Sequence, residues 1–219
     1  MIRVVLVDDQ QMVRAGFRML LESQPDLVVV GEAGDGRAAV DLVRRTPCDV
    51  VLMDVRMPVL DGVAATAEVT ALPDAPRVLV LTTFDLDEHA FAAIRAGAAG
   101  FLLKDAAPED LLAAVRTVHA GDAVVAPSTT RRLLEHLAAA PSPASPPAAD
   151  DPRLRDLTDR EREVLVLVGR GLSNHEITVE LVVAEATVKT HVSRLLAKTG
   201  SRDRVQLVVL AHETGLVGG

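Results

Sequence analysis

Residues 50–58, Val-Val-Leu-Met-Asp-Val-Arg-Met-Pro, run four apolar side chains into one carboxylate, Asp54, and then toward a proline turn. Four apolar residues without alternation suit a strand covered on both faces, as in a parallel sheet. Similar runs stand on either side: VVLV at 4–7, LVVV at 27–30, VLVL at 78–81 and GFLL at 100–103. Between them, helical apolar spacing begins near Asp9, Asp35, Gly62, Asp87 and Pro108. Five strand–helix units in order predict an α/β fold: a parallel five-stranded sheet with right-handed crossovers and helices on both faces.

The chain is longer than this pattern. It has 219 residues, 49% hydrophobic, with a net charge of -8, which is room for two ordinary domains. Residues 138–153 are rich in Pro, Ala and Ser without apolar periodicity, the composition of an extended linker. We therefore expect one domain over 1–120, a terminal helix of it over 121–137, the linker, and a second domain over 154–219. Residues 1–150 carry 13 Lys and Arg against 21 Asp and Glu, whereas 151–219 carry 10 against 10, and Thr187–Arg204 holds five basic residues against Asp203 alone. An acidic first half and a locally basic second half predict different partners. The apolar runs are too short for a signal peptide core or a membrane span, and the single Cys48 has no thiol partner, so a cytoplasmic protein without membrane or redox chemistry is expected.

In open parallel sheets ligands bind beyond the carboxyl ends of the strands. Polar residues stand at those ends: Asp8 and Asp9, Asp54, Thr82 with Thr83, and Lys104. A flavodoxin-like (βα)5 strand order brings them to one rim. Three neighbouring carboxylates repel one another and suit a hard divalent cation such as Mg²⁺. Lys104 and Thr82 supply a positive charge and a hydroxyl for phosphoryl oxygens, which makes Asp54 the candidate nucleophile. Taken alone, Asp8 and Asp9 also suit a helix cap, and Lys104 a solvated surface position.

The second half opens with Thr158 and Glu161 at capping-box spacing, repeated by Ser173 and Glu176, with Gly169 and Gly171 fitting the turn between two helices. A third helix from Ala184 places Val188, Val192, Leu195 and Leu196 on one face and Ala186, Lys189, Thr190, Ser193, Arg194 and Ala197 on the other. Such a polar, basic face can enter a DNA major groove, with Arg202 and Arg204 near the backbone. A plain solvated helix face has the same pattern.

The segments VVLVDDQ, VVLMDVRMP, VLVLTTF and GFLLKD resemble the receiver domain of bacterial two-component response regulators over about residues 1–120. Residues 154–217 closely resemble the LuxR-type helix-turn-helix domain, the pairing found in the NarL/FixJ type. The resemblance implies a small four-helix second domain and a transcription factor rather than a turnover enzyme. It implies that Asp54 accepts a phosphoryl group from a sensor histidine kinase. It further implies that Mg²⁺ is held by Asp9, Asp54 and the Arg56 backbone carbonyl, and by Asp8 through water, while Thr82 and Lys104 contact the phosphoryl oxygens. Phe101 falls at the aromatic switch position, its ring turning inward on phosphorylation. By the same resemblance double-stranded promoter DNA is expected to meet Lys189, Thr190, Ser193 and Arg194, with Thr187 and His191 beside them. The resemblance also implies that the last helix, about Ser201 to Thr214, pairs two copies; its Val205, Val208, Val209 and His212 suit that role and equally suit plain core, and RNA polymerase is a further expected partner. Three departures from the family pattern, Ala184 at a helix cap, Thr178 at a close helix approach and Thr199 in the core, predict a DNA-binding domain of reduced stability.

Two rivals from other classes have distinct signatures. A Mg²⁺-dependent phosphatase with an aspartyl phosphate intermediate needs a second acid two residues after the nucleophile, where Arg56 stands. An adaptor binding protein through its C-terminal helices would show little salt dependence, unlike a nucleic-acid binder.

Overall fold

The computed structural model describes residues 1–82, 88–121 and 151–217. Thr83, the expected helix over 121–137 beyond Gly121, and the linker up to residue 150 lie outside the described residues. The chain divides into two compact units, Met1–Val125 and Ala126–Gly219.

The first unit alternates strand and helix throughout: β1 (Ile2–Val7), α1 (Gln11–Glu22), β2 (Leu27–Ala33), α2 (Gly36–Arg45), β3 (Val50–Asp54), α3 (Gly62–Thr70), β4 (Arg77–Thr82), α4 (Glu88–Arg95), β5 (Gly100–Leu103) and α5 (Pro108–His119). All strand pairs are parallel, in the order β2-β1-β3-β4-β5. This is the flavodoxin-like arrangement expected from the sequence. The central strand β3 is buried at all five residues, because helices cover both faces of the sheet. One face packs Val4, Leu6, Val50, Leu52, Leu79 and Leu81 against Leu21 of α1 and Leu111, Leu112, Val115 and Val118 of α5. Strand alternation sends Val5, Val51, Met53, Val78 and Val80 to the other face, and all are fully buried. Each such side chain contributes about 1.5–3 kcal/mol by leaving water.

Local signals set the helix starts. Asp35 and Asp61 cap α2 and α3, each accepting a backbone N–H at 2.8 Å, and Pro108 opens α5 where no N–H is needed.

The second unit begins with a short 3₁₀ turn, Pro152–Leu154, whose Leu154 is fully buried, followed by α6 (Asp159–Gly169), α7 (Asn174–Leu181), α8 (Glu185–Thr199) and α9 (Arg204–Glu213). Both expected capping boxes are formed, on α6 and α7. Gly169 does not sit in the turn. It closes α6, where a Cβ would lie 2.6 Å from that of Ala211, so its role is close helix approach, while Gly171 takes the left-handed turn position (φ 81°).

Candidate functional site

Three strand ends of the first unit converge. Asp8 follows β1, Asp54 ends β3 and Lys104 follows β5. Asp8 and Asp54 are 2% and 4% exposed, whereas Asp9 is exposed. Carboxylate oxygens of Asp8, Asp9 and Asp54 lie within 4.8 Å of one another. Lys104 Nζ stands 2.6 Å from Asp8 Oδ2 and 2.9 Å from Asp54 Oδ2.

The electrostatics of this group are unbalanced. Burial pushes the Asp54 carboxyl above the usual aspartate value, and the Lys104 ammonium only partly offsets it. For Lys104, burial works against the charge, yet the Asp8 and Asp54 carboxylates together outweigh it and raise its pKa. Three carboxylates against one ammonium leave two negative charges. Asp8 Oδ2 is buried and has the ion pair with Lys104 but no aligned hydrogen bond. An all-oxygen cluster with excess charge and such an oxygen fits a divalent cation of the Mg²⁺ type.

The neighbours expected from the sequence lie close by. Lys104 N–H donates to the Thr82 carbonyl at 2.7 Å, which fixes these two residues side by side at the ends of β4 and β5. Arg56 is exposed and lines an open cleft with Asp9, Met57, Pro58 and Asp61. Phe101 is 3% exposed and pairs with Val80 of β4 in the sheet, so its ring is turned inward in this structure.

Gly62 was not recognised as part of the site. A Cβ there would collide with the Asp54 carbonyl, and the Gly62 N–H donates to the Val55 carbonyl at 2.8 Å, so the loop after Asp54 returns close against its own strand. The Leu-Asp-Gly that follows Pro58 and Val59 was its only sequence trace.

On α8 of the second unit, Thr187, Lys189, Thr190, Ser193 and Arg194 are exposed while Val188, Val192 and Leu195 are buried. His191 stands apart, half-buried, with Nδ1 enclosed and no hydrogen-bond partner among the described residues. Lys189 pairs with Glu185 at 3.0 Å on the open surface, an interaction worth only about 0.3–0.5 kcal/mol and easily given up to a phosphate.

Two expectations for this unit need correction. Arg204 does not face outward: its guanidinium donates to Asn174 Oδ1 at 2.8 Å and to the Leu172 carbonyl, tying α9 to the start of α7. Val205, Val208 and Val209 are 1%, 5% and 5% exposed and pack inside their own domain. His212 Nε2 hydrogen-bonds the Gly169 carbonyl at 3.0 Å. Val205, Val208 and Val209 are therefore core of their own domain rather than a dimer surface, while half-buried His212 ties α9 to α6.

Comparison with known proteins agrees with both units. The model of the response regulator receiver domain matches residues 4–116, and that of the bacterial regulatory proteins of the luxR family matches residues 155–211. The transcriptional regulatory protein YxjL of Bacillus subtilis (strain 168) is 43% identical over 217 residues, covering 99% of this chain and 97% of YxjL. The DNA-binding transcriptional activator DevR/DosR of Mycobacterium tuberculosis is 42% identical over 217 residues, covering 97% and 95%. The crystal structure of response regulator ChrA of a heme-sensing two-component system shares 36% identity at a TM-score of 0.51, covering 99% of this chain and 98% of ChrA. With receiver and luxR-type models matched in order and relatives aligned along nearly its whole length, the chain belongs to the two-component response regulators that carry a LuxR-type DNA-binding domain.

Proposed function

We propose that Asp54 of this response regulator accepts a phosphoryl group from a sensor histidine kinase, and that the modified protein binds promoter DNA as a homodimer. The observation that carries this reading is the placement of Asp54, buried at the end of β3, with two further carboxylates within 4.8 Å and an ammonium at 2.9 Å.

In the transfer step an Asp54 carboxylate oxygen attacks the phosphorus of the kinase phosphohistidine. The new P–O bond forms as the P–N bond breaks, and the electron pair returns to the imidazole nitrogen. Asp8, Asp9, Asp54 and the Arg56 carbonyl would hold Mg²⁺, which supplies charge neutralisation for the incoming phosphoryl oxygens. Lys104 then exchanges its pairing with Asp54 for a phosphoryl oxygen, and the Thr82 hydroxyl donates to another. Water attack on phosphorus later returns the free carboxylate and inorganic phosphate.

The exchange at Lys104 shifts a pre-existing equilibrium of the receiver toward a pairing-competent state. In that state the Phe101 ring, on β5 beside Val80 of β4, is turned inward. Promoter DNA meets the exposed face of α8 through Lys189, Thr190, Ser193 and Arg194, with Thr187 and His191 at its margin, and RNA polymerase is the partner downstream of binding. These activities place the protein in the cytoplasm.

Intact-mass analysis after incubation with a small-molecule phosphodonor tests the chemistry. Wild type gains one phosphoryl group with Mg²⁺ and not without it, and Asp54→Asn gains none. A gain in Asp54→Asn equal to that of wild type moves the acceptor elsewhere.

A further inference from the structure

Behind the acidic site lies an ion-pair relay that the proposed chemistry does not use directly. Arg14, one turn into α1, donates from Nη1 to the Asp8 backbone carbonyl at 2.6 Å and from Nε to Glu32 Oε2 at 3.1 Å. Glu32, on β2, also accepts from Arg18 Nε at 2.6 Å, so its carboxylate is held from two sides and in turn holds the Arg14 guanidinium. The Arg14 side chain is 17% exposed.

This carbonyl lies where the sheet stops supplying partners. The last β1–β2 register pair is Val7 with Ala33, and the last β1–β3 pair is Val7 with Met53. Beyond it the Asp8 N–H still reaches the Ala33 carbonyl at 3.2 Å, and Asp8 Oδ1 accepts the Gln10 N–H at 2.8 Å. Gln10, which caps α1, makes no side-chain cap bond. Asp9 makes no hydrogen bond among the described residues. Its carboxylate is therefore aimed by the backbone alone, against the repulsion of Asp8 and Asp54.

We infer that Arg14 is a positioning residue for the metal-binding carboxylates: braced by Glu32, it clamps the Asp8 carbonyl and so keeps Asp9 directed into the site. The inference rests on the reading of Asp8, Asp9 and Asp54 as a divalent-cation site. It separates from simple electrostatics by sign. A cationic side chain close to the site repels an incoming cation, so losing its charge alone strengthens metal binding. Losing its hold on the loop weakens it.

The test is Mn²⁺ binding to the full-length chain, with free ion counted by electron paramagnetic resonance. Arg14→Ala is expected to bind about tenfold more weakly, the low end for a residue acting behind a metal ligand. Arg14→Lys, which keeps the charge but cannot bond the carbonyl and Glu32 with one planar group, shifts the same way, and Glu32→Gln does so by less. Combined with Asp9→Asn, Arg14→Ala weakens binding no further, because the ligand it positions has gone and only the loss of its repelling charge remains. Binding by Arg14→Ala that is as tight as wild type or tighter, or a loss fully additive with Asp9→Asn, overturns the inference while leaving the metal site in place. Absence of binding by wild type overturns both together. If Arg14→Ala loses its far-ultraviolet circular dichroism, Arg14→Lys, which keeps the charge, decides between the same outcomes.

Discussion

Glu161 is 3% exposed and ionised, which costs several kcal/mol unless the charge is answered. Lys198 Nζ lies 2.7 Å from Oε2, and the Thr158 N–H donates to the same oxygen at 2.9 Å. The Lys198 bond first, and the Thr158 backbone second, hold the carboxyl at about 2 against an ordinary value of 4.5. A pKa depressed by folding contributes stability that is present above 4.5 and lost as pH falls toward 2. Glu161→Gln leaves Lys198 without its charge partner and is expected to cost about 1–3 kcal/mol at neutral pH. Thermal melts of the full-length pair should show the Tm gap between wild type and variant closing as pH drops from 5 to about 2.5. A gap independent of pH would mean that the ion pair is not what the carboxylate contributes. Asp54 illustrates the opposite balance, with burial dominant and its pKa raised, as suits a group that reacts rather than one that braces.

The turn between α7 and α8 is where the helix-turn-helix element is weakest. Val182 caps α7 at φ 53°, ψ 51° and is 88% exposed, a β-branched residue in the left-handed region with little packing to compensate. Val182→Asn, which tolerates that conformation and removes exposed apolar surface, should raise stability by about 1 kcal/mol. Two residues on, Ala184 occupies the cap of α8 without a side-chain hydrogen bond. Ala184→Ser supplies the missing acceptor and should add about 0.5–2 kcal/mol, seen as a higher Tm in circular dichroism melts of the full-length chain. An unchanged Tm would remove the cap from the account of this domain's stability. The substitution of Thr199 for a core residue is compensated: its hydroxyl donates to the Leu195 carbonyl at 2.7 Å and lies 2.8 Å from Ser201 Oγ. Thr178 is satisfied similarly, donating to the His175 carbonyl at 2.5 Å. The reduced stability expected from these three positions therefore narrows to the α8 cap.

Charge divides the molecule as its architecture does. The first 150 residues hold a net -8, while the last 69 are neutral, and on and after α8 five basic residues stand against three acidic ones. That distribution keeps nucleic acid away from the receiver and admits it to the second unit. Exposed Lys189 and Arg194 are expected to contact DNA phosphate or base edges. Where a replaced residue neutralises one phosphate, replacing it with Ala lowers the slope of log affinity against log salt by about 0.9. Equilibrium binding of the phosphorylated protein to promoter DNA at several salt concentrations measures this, and a flat salt response in wild type would favour a protein partner over DNA.

Much of this was legible before the fold was known. The five strands lie within three residues of their apolar runs, and both capping boxes formed where Thr158-x-x-Glu161 and Ser173-x-x-Glu176 stood. Apolar period, caps and turns are written over a few neighbouring residues, so reading them needs no knowledge of distant contacts. The strand-end residues Asp8, Asp54 and Lys104 were legible for the same reason, since a polar residue closing an apolar strand marks the sheet rim. Other features depend on residues far apart in the chain. Arg204 reaches Asn174 across 30 positions, Arg14 meets Glu32 across 18, and Gly169 matters because Ala211 and Val217 pack on it. The fate of Val205, Val208 and Val209 belongs with these. An apolar stripe on a helix looks the same whether its cover is a second copy or its own domain, and α6 lying against α9 is what makes these residues core.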